Sequence, residues 1–488
     1  MSELVAPYPF ATELRDQSIA ESVRVVLVGL GPHAKRIYMH YLAALGLQPA
    51  LIIELESQKD CVEKYLDEKG LSADCLYISD SSKYQDTLSQ LDAQRVFNEV
   101  ARLGISHAII ATEPKAHLAY IRFFLKSNLM VLCDKPITAT KDLATSISSA
   151  QKLTRDYDEI KQSIVDAQVE SHHCVIQCQR RWHKGYLYIK RLLQQEIAKH
   201  SVPITSIELY HCDGMWNMPN EFFLRENHPY KYGYGKLMHS GYHFIDLLCW
   251  LLDENNHLDK AKPDNAELYT ATTNPYDYMG VVDNDMYKNL LGTEMYKDII
   301  ANRDRCKPFG EIDFNAIVQF KKSDSVVTTA TLNLIQNGFS RRSWARLPED
   351  TYKGNGRVRH ERINIQLGPL MNIQVHSYQS VEISERRDKF GPGEVEHFDI
   401  SVYRNTELIG GEPYQKIRLC DIVDNDGSDF IGYNEMARKE CIRAFLSNEP
   451  SIASTIDEHE LPNKLLSKCY ESIVLRSTGH NPVVTFGV

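Results

Sequence analysis

Three groups of residues in this 488-residue chain have the types and spacing to do chemistry. The first is Gly29-x-Gly31-x-x-Ala34, which follows directly on the apolar run VRVVLV at residues 23–28. Gly29 would make a tight turn and Gly31 would let backbone approach a pyrophosphate. A small residue at Ala34 would let helix pack on strand. Pro32 and His33 open that helix, whose free N–H groups and dipole favour phosphate. A dinucleotide site also needs an acid at the end of the next strand to accept hydrogen bonds from a ribose. Glu54, closing PALIIE 25 residues after Gly29, stands there. Its carboxylate would repel a 2′-phosphate, so the expected cofactor is NAD, with NADP possible because Ser57 and Lys59 are close in sequence.

The second group lies where two later apolar runs end. Residues 107–111 (HAIIA) lead into Thr112-Glu113-Pro114, with His117 shortly after, and residues 129–133 (LMVLC) lead into Asp134-Lys135-Pro136. The carboxyl ends of parallel strands are where ligands bind in open sheets. Thr112 would cap the following helix or touch the cofactor, and Glu113, His117 and Asp134 join the expected cofactor contacts. Lys135 would lie toward the reactive ring. Desolvation and a neighbouring cation would lower its pKa, suiting it to donate a proton or clamp a hydroxyl.

The third group is GKLMHSGYHFID at residues 235–246. A helix would put His239, His243 and Asp246 on one face at i, i+4 and i+7, beside an apolar face of Phe244, Leu247, Leu248 and Leu251. They are then satisfied core residues, or part of a zinc site that lacks an obvious further ligand, or catalytic. In the catalytic reading His243 is a general acid/base, and Asp246 fixes its tautomer or holds a substrate hydroxyl.

Other clusters carry less. His172, His173, Cys174 and Cys178 invite a metal, but four residues of strand span about 13 Å, too far for both thiols to share one ion. No metal is expected there. Arg341, Arg342 and Trp344 would clamp a phosphate or sugar acid, or form an exposed loop. The aromatic stretch NPYDYMGVVDNDMY at residues 274–287 would stack on a sugar ring or meet another subunit.

The elements that must position these residues follow from periodicity. Strand-like and helical segments alternate from 22 to about 150, which predicts a doubly wound parallel sheet with right-handed crossovers, a Rossmann dinucleotide-binding domain. From 151 to 488 longer alternating runs predict an α+β domain with a large, mostly antiparallel sheet. Residues 253–310 and 337–360 are poorly periodic and are expected to be insertions or loops. Charged residues make up 25% of the chain and the net charge is −10, so nucleic acid and anionic membrane are not expected partners. No apolar run is long enough to span a bilayer and the N-terminus does not read as a signal peptide. The 11 scattered cysteines suit buried thiols in a reducing cytoplasm.

VGLGPHA, ATEPKAH, CDKPIT and GKLMHSGYHFIDLLCWLL, in that order, resemble the Gfo/Idh/MocA oxidoreductases (glucose–fructose oxidoreductase, inositol dehydrogenase and relatives). The resemblance covers the N-terminal domain and the core of the second, including residues 459–486. It implies that Lys135 is the active-site lysine of a Glu-Lys-Pro motif, with Asp134 replacing the usual Glu. His243 matches the histidine of an Asp-x-x-x-His pattern, and His239 stands where the aspartate is common. QRRW at residues 179–182 resembles an Arg-rich strand end facing substrate, which implies Arg180, Arg181 and Trp182 near the site, with a surface basic pair as the plainer reading. The implied activity is NAD(P)-dependent hydride transfer with a sugar-like or other polyhydroxylated small molecule, by a homodimer or homotetramer, with residues 151–488 as the substrate and oligomerisation domain. His243 would take the hydroxyl proton directly or through His239 or water, while Lys135 orients the oxygen. A non-catalytic NAD(P)-binding sensor or scaffold, and an NAD-assisted elimination or glycoside-cleaving enzyme, are the alternatives.

Overall fold

Val25–Val28 (β1) has four consecutive residues with no exposure to solvent, which is why VVLV shows no polar alternation. The structure, a computed structural model, describes residues 23–342, 356–380, 390–394, 396–422 and 433–488. Around β1 are β2 (Leu51–Leu55), β3 (Asp74–Ile78), β4 (His107–Ile110), β5 (Met130–Asp134) and β6 (Cys174–Gln177). Their order is β3-β2-β1-β4-β5-β6 and every pairing is parallel. The chain therefore winds outward in one direction from β1 and in the other from β4, leaving a switch point between them.

Two compact units form. The first takes the described residues up to Thr138 together with Asp158–Gln179 and Arg438–Asp457; the second takes Ala139–Tyr157, Arg180–Ala437 and Glu458–Val488. This differs from the expected division at 150. Cys174, Val175 and Ile176 are fully buried as β6 pairs with β5, so that strand belongs with the parallel sheet. Residues 438–457 join it because Phe445 packs edge-on to His107 and Asn448 bonds the same imidazole at 2.8 Å.

The second unit is built on β7 (Ser206–Cys212), β8 (Asn265–Thr273), β9 (Asp313–Lys322), β10 (Ser325–Ile335), β11 (Val358–Leu367), β12 (Met371–Ser380), β13 (Asp399–Arg404), β14 (Tyr414–Arg418) and β15 (Val484–Gly487). Their order is β14-β13-β12-β11-β7-β10-β9-β8-β15, antiparallel throughout except for β7 with β10. Alternation divides the two faces. Phe314, Ala316, Val318 and Phe320 of β9 are buried, while Ile317 between them is 51% exposed. The Tyr242–Leu252 and Glu460–Ser477 helices pack on each other and cover the buried face, tied to it by Thr270 and Ser472, whose hydroxyls lie 2.8 Å apart.

Two expectations are corrected here. Residues 253–310 are not a loop: they hold β8 and the Pro275–Val281, Asn284–Leu291 and Lys297–Ala301 helices, with their own clusters around Phe222, Met279, Cys306 and Ile312 and around Met218, Tyr287 and Tyr296. Of residues 337–360, those from 358 onward begin β11, while 343–355, including Trp344, fall outside the described residues. Among the described residues no helix is long and apolar enough to cross a membrane.

Candidate active site

In the first unit the loop after β1 is shaped by one glycine. Gly29 has φ +87°, and a Cβ there would sit 2.9 Å from Thr112 Cγ2 and 3.0 Å from the Ala111 carbonyl oxygen. Only glycine fits both the backbone and the space. Its N–H donates to the Ile53 carbonyl at 2.9 Å, so β1, β2 and β4 end together. A Cβ on Gly31 would meet nothing within 4 Å, which leaves that side of the loop clear. Ala34 is fully buried under the loop. The expected continuous helix is interrupted: Pro32–Arg36 ends at Ile37 and Tyr38–Ala44 follows.

Glu54 turns back to the loop. Its Oε2 accepts the Leu30 N–H at 2.7 Å and Oε1 accepts the Leu55 N–H at 2.9 Å. Each carboxylate oxygen retains a further lone-pair direction for a hydroxyl donor. Asp134, at the end of β5, is paired with His33 at 3.0 Å and lies 3.0 Å from the Tyr38 hydroxyl. Burial alone would raise its pKa, but the His33 and Lys135 charges outweigh that and hold it at about 2. Asp134 thus braces the glycine loop against β5, and Lys135 beside it is half-buried. Thr112 packs its methyl on the loop. Glu113 lies 3.5 Å from the buried Lys115 ammonium.

His117 is held by the backbone. It is fully buried, with Nδ1 2.9 Å from the Pro136 carbonyl and Nε2 3.1 Å from the Thr112 carbonyl, so it joins the ends of β4 and β5. Burial lowers its pKa. The remaining residues fit a dinucleotide. The cradle at Gly29, the clear space at Gly31, the acid at the end of β2 and Thr112 at the end of β4 all converge on the switch point.

In the second unit the expected single histidine face is broken. Leu237–Gly241 is a wide π turn, and regular helix begins only at Tyr242–Leu252. His239 is turned into an aromatic enclosure of His228, Tyr230 and Tyr234, its Nε2 3.3 Å from the Pro229 carbonyl. His243 is 9% exposed. The start of the segment is clamped. A Cβ on Gly235 would lie 1.9 Å from the Glu311 carbonyl oxygen, and Glu311 Oε1 accepts the Leu237 N–H at 2.8 Å and the Tyr470 hydroxyl at 3.0 Å. Burial pushes the Glu311 carboxyl up to about 7.

Asp246 is unexposed and binds Arg181 through Nε at 3.1 Å and Nη2 at 2.6 Å, with His459 Nδ1 at 3.4 Å. Arg181 also pairs with Glu458 at 2.9 Å. This is an internal ion pair, so the substrate roles expected for Arg181 and Asp246 are corrected to support of the helix. Trp182 is half-buried. Arg342 is likewise held internally, by Glu221 at 2.8 Å and the Trp216 carbonyl at 2.6 Å, so it is no anion clamp. Tyr287 is fully buried and stacked on Trp216, unavailable for a sugar ring.

One polar cluster escaped the sequence reading. Lys236 Nζ, unexposed, donates to Asp213 Oδ2 at 2.5 Å, Ser240 Oγ at 2.9 Å and His211 Nδ1 at 3.0 Å. An ammonium only donates, so Nδ1 of His211 accepts and its proton sits on Nε2. Arg357 also pairs with Asp213. On the neighbouring strand Glu361 lies opposite His211 in register; its Oε1 accepts Arg180 Nη2 at 2.5 Å and its Oε2 accepts the Tyr186 hydroxyl at 2.8 Å. Period-two reading exposes the signal. Ile207 and Leu209 give way to His211 on one face of β7, with Asp213 just past the strand end, while Ile365 and Ile363 give way to Glu361 and Arg359 on one face of β11.

No protein-family model matches the chain, and no curated protein matches it. Solved structures do share its fold. An oxidoreductase from Agrobacterium radiobacter, in complex with NAD+, L-tartaric acid and magnesium, is 12% identical with a TM-score of 0.55, over 95% of this chain and 98% of that one. The aldose-aldose oxidoreductase from Caulobacter crescentus, complexed with glycerol, is 12% identical with a TM-score of 0.53, over 96% and 99%. The WlbA dehydrogenase from Bordetella pertussis, in complex with NADH and UDP-GlcNAcA, is 13% identical with a TM-score of 0.52, over 96% and 97%. At this identity the likeness speaks for the fold: a parallel six-stranded sheet followed by a large, mostly antiparallel one.

Proposed function

We propose that this chain is an NAD-dependent oxidoreductase of the Gfo/Idh/MocA type, acting on a CH–OH group of a sugar-like or other polyhydroxylated molecule. The observation that carries the reading is the Gly29 loop, sterically restricted to glycine and placed at the switch point of a parallel sheet. Fold neighbours crystallised with NAD+ or NADH support the choice of cofactor. Residues 29–34 would cradle the diphosphate and Glu54 the adenine ribose, with Thr112, Glu113 and Lys135 along the strand ends. The carboxylate of Glu54 favours NAD over NADP.

Bound nicotinamide supplies the hydride acceptor or donor. Lys135 orients the substrate oxygen and stabilises negative charge developing on it. His243 takes the hydroxyl proton, or returns it in the reductive direction, directly or through water. The outward face of the large sheet exposes Tyr269 (37%), Ile317 (51%), Tyr403 (42%) and Tyr414 (48%), which supports association of copies of the chain.

The test is calorimetric titration with NAD+ and NADP+, then absorbance at about 340 nm with polyols, sugars and sugar acids. Lys135→Ala is expected to lower turnover by at least about 10²-fold while NAD+ affinity holds. Absence of heat with both dinucleotides, or full turnover by the variant, overturns the assignment.

A further inference from the structure

We propose that the substrate carries a carboxylate, seated by the guanidinium groups of Arg180 and Arg359 at the polar end of the helix-facing side of the large sheet. This rests on the oxidoreductase reading and names its substrate class. Both arginines lie against one acid. Glu361 already spends both oxygens, on Arg180 and on the Tyr186 hydroxyl. Arg180 is only 6% exposed, its guanidinium carbon lies over the Phe244 ring 4.1 Å from the centroid, and its buried Nε has no hydrogen-bond partner.

Arg359 projects from the same face of β11, two residues before Glu361. Among the described residues its one hydrogen bond is a long 3.5 Å contact with Gln379, and no carboxylate pairs with it. Burial, and then the nearby Arg357 charge, push its pKa down to about 10, the mark of a cation short of counter-charge.

The local charges call for an anion. Arg180 pairs with Glu361, and among the described residues Arg359 has no carboxylate in contact, so the cations here outnumber the acids. His211 and His183 add none, because burial holds both pKa values low. Lys236 and Arg357 share Asp213. A planar carboxylate suits this arrangement: a guanidinium fork binds a carboxylate in two parallel hydrogen bonds, and a charge left desolvated without one is costly.

The experiment uses the full chain and matched pairs sharing a carbon skeleton: D-gluconate with D-glucitol, and D-glucuronate with D-glucose, plus glucose 6-phosphate. Binding is read by calorimetry and thermal shift, with and without NAD+. The acids are expected to bind and their neutral partners to bind at least about tenfold more weakly; Arg359→Gln should weaken acid binding about 10–100-fold and leave NAD+ affinity and the melting profile unchanged. Should that variant misfold, Arg359→Lys keeps the charge, loses the fork, and should still weaken acid binding. Equal binding of acids and neutral partners, no acid binding, preference for the phosphate, or unchanged binding by both variants overturns the proposal. Turnover of neutral polyols alone overturns it and leaves the oxidoreductase reading intact. Acid binding that is lost in Arg359→Gln, in a protein that ignores both dinucleotides, supports the carboxylate site and overturns that reading instead.

Discussion

Lys236 and Asp213 meet at 2.5 Å, with 0% and 1% of their side-chain surfaces exposed. Asp213 serves two cations, because Arg357 reaches the same carboxylate, whereas Lys236 leaves that carboxylate still partnered if removed. Deleting one member of a buried pair strands the other charge, at a cost of about 3–5 kcal/mol. Asp213→Asn is therefore expected to destabilise by about that amount, and Lys236→Met by about 1–3 kcal/mol. Urea unfolding at neutral pH measures both; the reverse ranking would refute the asymmetry.

Glu311 gives stability an unusual slope with pH. Its folded pKa of about 7 lies above the unfolded value, so its protonated form is preferred in the folded chain. The contribution is complete below about pH 4.3 and is lost as pH rises through 7, a loss of up to about 3 kcal/mol. Asp213 acts in the opposite sense. Held far below its ordinary value by Lys236 and Arg357 despite burial, it contributes fully above about pH 3.9 and fades only in stronger acid. Between pH 5 and 8 the Glu311 slope should dominate. Glu311→Gln mimics the protonated acid and should flatten the curve; an unchanged slope in the variant refutes the assignment.

Glu54 should decide between the two dinucleotides. Its carboxylate is fixed beside the loop by the Leu30 N–H, so a 2′-phosphate would face a charge unable to swing away. Glu54→Gln keeps an oxygen for that N–H and removes the repulsion. The ratio of NADP+ to NAD+ affinity is expected to rise about tenfold or more, since like-charge juxtaposition costs several kcal/mol. Competitive calorimetry reads it directly, and a constant ratio would place the ribose elsewhere.

The parallel sheet was legible because two-sided burial writes itself as unbroken apolar runs, as in VVLV and HAII. β6 was legible as a strand but not as a member of that sheet, because sheet membership depends on long-range pairing with β5. β8 was hidden by its composition: NAELYTATT buries mainly Ala266, Leu268 and Thr270, two of them small or polar. The helical arithmetic that aligned His239, His243 and Asp246 failed at the π turn, which one sequence does not announce. Arg181 and Asp246 have the residue types of a site, yet bind each other; types are written in sequence and partners are not.

The parallel unit is assembled from three separated lengths of chain, the last being Arg438–Asp457. That late length lends Asn448 and Phe445 to His107, and Ser454 to the Ile176 carbonyl. A ribosome must therefore reach residues 438–457 before strands β1–β6 receive their last neighbours. Nascent N-terminal sheet has to wait with Ile176 and His107 uncovered, and a fragment cut after residue 179 would inherit the same bare surface permanently.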